Sequence, residues 1–439
     1  MARLDREINR KVSTGILALR VPAKPLNAGH REERRSKMAR GWRRRMLDIV
    51  PDFARIGEEN AFAVLARATE LARQGHDIIN LGIGQPDFAT PGHIVEAAIQ
   101  ALRDGHHGYT PATGILPLRE AVAADVHRRF GVEISPERVM VVPGGKVTMF
   151  MAILMFGQPG VEILYPDPGF PIYRSMIEFT GATPIPVPIR EANNFAFSAE
   201  ETLNLITPRT RLLIINSPAN PTGGVTPKSE IDRLVEGLAR FPRVALMSDE
   251  IYDQMTYDGE AHISLLTYPE IRDRLILLNG WSKTYAMTGW RMGWSIWPEK
   301  AYEAARKLAV NSFSCVNAPA QWAGLAALTG PQDAVHQMVR EFDRRRKAVV
   351  AGLNALPGVQ CATPKGAFYA FPNIAKTGWK AKPLASALLE KAGIATIGGP
   401  DFGINGEGYI RLSYANSLEN IERALDRMKA FLADGAPTG

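Results

Sequence analysis

The chain reads as an α/β fold with a mostly parallel sheet, and three observations predict it. From about residue 76, short apolar runs alternate with helical stretches; each run stops at a polar or Gly/Pro-rich loop; and no internal repeat or low-complexity segment interrupts the alternation. With 439 residues, 46% of them hydrophobic, the chain can build one large core and a smaller second one.

In chain order, the first element is a basic extension. Residues 1–45 carry 14 Lys/Arg and four Asp/Glu, a balance of +10, against 38 and 41 in the rest, a balance of −3. The net charge of +7 therefore belongs to the first tenth of the chain and says nothing about the remainder. Arg31, Arg34, Arg35, Lys37, Arg40 and the run Arg43, Arg44, Arg45 have few large apolar neighbours. The segment reads as a flexible, solvated tail, with Met38 and Met46 as alternative starts; contact with phosphates of nucleic acid or membrane is the competing reading. Residues 46–80 follow as a segment expected to pack with the smaller domain.

The large domain is expected over residues 81–326, with buried strands at 139–142, 161–165, 212–215, 244–247 and 275–278. The remaining residues, 327–439, change to longer amphipathic helices around fewer strands, as in a small α+β domain. Ile421, Leu425, Met428 and Leu432 recur at spacings of three and four, and Ser417 is placed to cap that last helix. No uninterrupted apolar run of 18 residues and no secretory h-region is present, so a soluble, cytoplasmic protein is expected. Two cysteines, Cys315 and Cys361, are too few for a disulfide framework, and the eight histidines show no zinc-ligand spacing, so no metal is expected.

In open α/β sheets ligands bind beyond the carboxyl ends of the strands, so the loops after these runs are the places to look. After Val142 come Pro143, Gly144, Gly145 and Lys146, paired glycines that open a helix and present amides suited to a phosphate. Alone, such a pair is more often a turn. After Ile215 comes Asn216-Ser217-Pro218-Ala219-Asn220-Pro221-Thr222-Gly223, and after Met247 comes Ser248-Asp249-Glu250-Ile251-Tyr252. A rigid turn and a helix N-cap are their ordinary readings. After Leu278, Lys283 stands in Asn279-Gly280-Trp281-Ser282-Lys283-Thr284-Tyr285, among aromatic and small residues that are poor company for a solvated lysine.

Taken together these segments are specific. Ser282-Lys283 with Met287-Thr288-Gly289-Trp290-Arg291, the Asn220-Pro221-Thr222-Gly223 turn and Asp249-Glu250-Ile251-Tyr252 resemble, in order and separation, the class I and II aminotransferases of pyridoxal-phosphate fold type I. Gly84-Gln85-Pro86-Asp87-Phe88, Tyr109 with Gly114, Gly366-Ala367-Phe368-Tyr369 and Arg411-Leu412-Ser413-Tyr414 extend the likeness over roughly residues 50–432.

The resemblance implies roles. Lys283 would hold pyridoxal 5'-phosphate as a Schiff base and move the proton of the reaction, which requires an amine that can be neutral in a dry site. Asp249 would face the pyridine nitrogen and keep it protonated, so that the ring draws electrons. Tyr252 and Asn220 would bond the cofactor's phenolic oxygen, and Phe170 would stack on the ring. The turn of Gly144, the backbone of Gly145 and Lys146 and the side chain of Arg291 would take the phosphate, with Tyr109 reaching across from the partner of a homodimer. Relatives often place a serine three residues before the lysine as a further phosphate ligand; this chain has Gly280 there. Arg411 would grip the substrate carboxylate as a planar fork, assisted by Gly84 and Asn220.

The implied activity is transfer of an amino group from an amino acid to a 2-oxo acid, with ping-pong kinetics. A C–S or β-lyase on the same scaffold is the alternative, and an aminotransferase-like sensor of a DNA-binding regulator a remote one. The latter needs a winged-helix module, for which 45 residues of weak apolar periodicity are too few. In relatives the segment before the large domain covers the side-chain pocket and often offers Ser or Thr. Here it reads Glu59-Asn60-Ala61-Phe62, which favours an apolar or aromatic side chain over a dicarboxylate.

Overall fold

A computed structural model describes residues 49–57, 59–433 and 435. The basic extension expected over 1–45 lies outside them. The elements, in chain order, begin with α1 (Asn60–Arg73), β1 (Ile79–Asn80), α2 (Gly92–Arg103), α3 (Leu116–Phe130), β2 (Val139–Val142) and α4 (Lys146–Phe156). They continue with β3 (Glu162–Asp167), α5 (Ile172–Phe179), β4 (Thr183–Pro188), α6 (Ala199–Asn204), β5 (Thr210–Asn216) and α7 (Lys228–Leu238). Then come β6 (Ala245–Asp249), β7 (Leu275–Gly280), β8 (Gly293–Ile296), α8 (Glu299–Ser312), α9 (Ala318–Thr329) and α10 (Asp333–Asn354). The last are β9 (Tyr369–Ala370), α11 (Ala381–Ala392), β10 (Ile394–Ala395), β11 (Ile397–Gly398), β12 (Ile410–Ser413) and α12 (Leu418–Ala433).

Seven strands form one sheet in the order β2-β8-β7-β6-β5-β3-β4. All run parallel except β8, which is antiparallel to both β7 and β2. Successive residues of the central strands alternate between two apolar clusters. Val141, Leu213, Leu246 and Leu277 enter one, Met140, Leu212, Met247 and Ile276 the other. Burial on both faces is why these strands read as unbroken apolar runs. Each of the five expected strands is present. The chain reading misses β4 because Pro184, Pro186 and Pro188 interrupt it, and β4 is an edge strand, where a missing donor costs little.

A separate core gathers Phe342, Leu353, Phe368, Leu388, Tyr414, Ile421 and Met428 around the three-stranded sheet β11-β12-β9. β1 pairs in parallel with β10, and α1 packs Ala68 and Leu71 against Leu389 and Ala395. α12 buries Ile421, Met428 and Leu432, and the Ser417 hydroxyl accepts from the Asn420 amide at 3.2 Å, the cap its position predicts.

Candidate active site

The parallel strands deliver their last residues to one edge of the sheet. Asn216 closes β5 and Asp249 closes β6 as register partners, Asp249 is level with Leu278 of β7, and β7 ends at Gly280. Beyond this edge lies a cavity of about 460 Å³. Its walls bring together Gly84, Gly145, Lys146, Phe170, Asn220, Asp249, Tyr252, Lys283, Arg291 and Arg411, ten of the residues singled out from the sequence. Gly144 is not among the lining residues. Tyr109 does not join them; it is 94% exposed.

Lys283 reaches the cavity from the turn after β7, and its Nζ donates to the Gly84 carbonyl at 2.5 Å. Burial and then the nearby Arg411 guanidinium lower its pKa to about 8. Asp249 is the opposite case. Burial raises its carboxyl to about 6, against hydrogen bonds from the Tyr173 hydroxyl at 2.6 Å and the Ile251 amide at 3.3 Å. It is the last residue of a strand and not a helix cap, since no helix follows it. Above pH 6 the cavity therefore holds a carboxylate facing an amine that sheds its proton with ease.

Arg411 projects from β12 and is only 3% exposed. Its NH1 donates to Asn220 Oδ1 at 2.9 Å, NH2 donates to the Gly82 carbonyl, and Nε has no acceptor. The guanidinium lies 4.6 Å from the Tyr369 ring centroid and 4.7 Å from that of Phe402. Among the described residues no carboxylate pairs with it. A buried, unpaired guanidinium is a costly arrangement that an incoming carboxylate relieves.

At the opposite side, Gly145 precedes α4, whose first residue is Lys146. Gly144 has φ +89°, and a Cβ there would lie 2.0 Å from Arg291 NH2, so only glycine lets the guanidinium lie against this turn. Arg291 is itself left-handed at φ 55°, a conformation that costs a non-glycine residue free energy and that the surrounding structure must hold. A helix N-terminus, its amides and an arginine together suit a phosphate. At Gly280 a Cβ would meet the Gly293 Cα at 2.9 Å and the Met292 carbonyl at 3.0 Å, so β8 occupies the room a serine side chain would need. Ser282 lines the cavity instead.

The structure adds residues that the chain reading leaves without a role. Tyr173 holds Asp249 from the first turn of α5, with no motif to mark it. Tyr369 meets the Tyr252 hydroxyl at 2.7 Å. Asn216 accepts from the Asn220 amide at 3.0 Å and donates to the Asp249 carbonyl at 3.0 Å, tying two site loops together. Both Asn216 and Tyr369 lie inside the quoted motifs, which is the signal that points to them.

This donor set suits a ligand with a carbonyl for the amine, a basic ring nitrogen for the carboxylate and a phosphate for the glycine turn, as pyridoxal phosphate has. The comparisons agree. The family model for aminotransferase class I and II matches residues 76–428. An aspartate aminotransferase of Geobacillus stearothermophilus is 38% identical over 392 residues, covering 88% of this chain and 99% of that one. Aromatic-amino-acid aminotransferase 2 of Thermococcus litoralis is also 38% identical, over 83% of this chain and 94% of its own length. The crystal structure of the aspartate aminotransferase from Rhizobium meliloti superposes with a TM-score of 0.85 at 32% identity, covering 89% of this chain and all of that one. The chain therefore belongs to the class I and II aminotransferases, pyridoxal-phosphate-dependent enzymes of fold type I.

Proposed function

We propose that Lys283 carries the cofactor and the reaction's proton, and that Arg411 receives the carboxylate of the amino acid or 2-oxo acid in a ping-pong amino transfer. The observation that carries this reading is one cavity walled by a lysine of pKa about 8, a buried carboxylate and a buried arginine that no carboxylate among the described residues pairs with. When bound, pyridoxal phosphate supplies a carbonyl that condenses with amines and a protonated ring that withdraws electrons from the bond being broken.

The chain's residues do the rest. Asp249, ionised above pH 6 and oriented by Tyr173, holds a proton on the ring nitrogen by pairing with it. Tyr252 and Asn220 orient the phenolic edge, Phe170 covers the ring, and the glycine turn of Gly144 and Gly145, the backbone of Lys146 and the Arg291 side chain hold the phosphate. Lys283, neutral once deprotonated, would take the proton from the substrate carbon and return it two atoms away, at the cofactor's carbonyl carbon. Arg411 fixes the substrate so that its Cα–H faces that amine.

The same reading makes Tyr109 a phosphate ligand of a partner subunit, which its exposure supports, and the protein a cytoplasmic homodimer. It also divides the chain into a basic extension 1–45, a segment 46–80 that joins the small domain 327–439, and a large domain 81–326.

Transfer is tested with a panel of amino donors against 2-oxoglutarate, measuring 2-oxo acid and ammonia separately. The expected result is a 2-oxo acid with equivalent glutamate. Ammonia with pyruvate and no glutamate would overturn the reading. Lys283→Ala is expected to lose borohydride-fixed pyridoxal phosphate and to slow transfer by about 10²–10⁴-fold; fixation that persists at the site would reject the lysine.

A further inference from the structure

Four cationic side chains line the cavity, and the proposed function, on which this inference rests, employs the side chains of three of them, Lys283, Arg291 and Arg411, and only the backbone of Lys146. The fourth, Lys146, is the cation left for a second substrate carboxylate, and it is not free. Its Nζ lies 2.5 Å from Glu59 Oε2, joining the start of α4 to the residue before α1. The Glu59 side chain is 17% exposed and that of Lys146 42%. Although Glu59 sits at the N-cap of α1, its carboxylate makes no capping bond there and extends to the lysine. Two aromatic rings flank the pair: the ammonium stands 5.4 Å from the Phe62 centroid and 5.1 Å from that of Phe170.

We infer that the Glu59–Lys146 pair sets selectivity for the substrate side chain, withholding the spare cation from acidic substrates and favouring aromatic ones. A dicarboxylate must displace Glu59 to reach Lys146, leaving that carboxylate without its partner and close to a second negative charge. An aromatic side chain leaves the pair intact and packs on Phe62 and Phe170. The selection is thus by exclusion, carried by a charge of this chain and not by a clash.

The test uses the pyridoxal-phosphate-loaded full chain. Binding of two unreactive acids, maleate and 3-phenylpropionate, is measured by calorimetry, and kcat/KM by amino transfer from aspartate and phenylalanine. Glu59→Gln, of the same shape, and Glu59→Ala are expected to tighten maleate about tenfold and to raise the aspartate-to-phenylalanine ratio by a similar factor. Adding Lys146→Met to either should remove the gain. Maleate binding that neither variant moves overturns the inference, as does a wild type that prefers ornithine to phenylalanine, since Glu59 would then be a receptor for cations. Failure of the active-site reading is distinct: the wild type would transfer from no donor, while calorimetry still reports on the pair.

Discussion

An amine set in a low-dielectric wall beside cations loses its proton sooner than one in water, and Lys283 is such an amine. Burial is the first cause and the Arg411 charge the second, with Arg291 and Lys146 acting in the same direction and Glu59 against them. In the cofactor-free protein, reductive methylation by formaldehyde, read on the peptide carrying Lys283, should therefore reach half its maximum near pH 8. The sign for a neighbour follows directly. Arg411→Leu removes a positive charge that disfavours the ammonium, so the midpoint should move up; a midpoint at the usual lysine value in the wild type, or a downward move in the variant, would contradict the site's electrostatics. Asp249 is perturbed the other way because burial penalises its charged form, and Tyr173 limits the rise by donating to the carboxylate. Lysine and aspartate are each moved toward neutrality by the same dry cavity, which is why neither shift can be assigned without knowing what surrounds the side chain.

Adjacent strand ends decide what fits beneath the glycine turn that opens α4. β7 and β8 pair Gly280 with Gly293, and a Cβ on Gly293 would in turn lie 2.6 Å from the Gly145 amide nitrogen. Three glycine backbones thus pack together under the start of α4. This explains at the level of elements why Gly280 departs from the serine that relatives often carry. Gly280→Ser should not restore a phosphate ligand. Overpacking against β8 is expected to destabilise the fold by about 1–3 kcal/mol, with no tightening of cofactor binding. Urea unfolding and pyridoxal phosphate titration check the two parts, and tighter cofactor binding at unchanged stability would show that the strands can part. The apolar runs of β5, β6 and β7 announce the strands themselves, whereas β4 is hidden by its prolines because alternation and propensity report central strands better than edges.

Over the molecule as a whole, the chain's own fold leaves Tyr109 exposed and outside the cavity. If two chains share sites, Lys283→Ala and Tyr109→Ala each fail, but a mixed dimer restores one site composed of intact halves. Co-refolding equal amounts should then recover activity to about a quarter of wild type, since about half of the dimers are mixed and each has one working site. No recovery, with dimers present by light scattering, would place Tyr109 outside the neighbouring site. The motifs around Lys283, Asp249, Asn220 and Arg291 are legible in the chain because each is a contiguous loop at the end of a buried strand, and strand burial is written locally as an apolar run. Arg411 is legible only in the company of the others, as its ordinary reading is a surface arginine. The amino-acid sequence by itself determined the α/β class and the loops at the strand ends, for short-range patterns suffice to specify strands, turns and residue chemistry, and the cofactor followed from the likeness of those loops to a known family. Only the tertiary structure decided that Tyr173 orients Asp249, that β8 excludes a side chain at Gly280, and that Glu59 occupies Lys146. Each of these is a contact between segments that the chain separates and the sheet brings together, and distance in space has no signature in local composition.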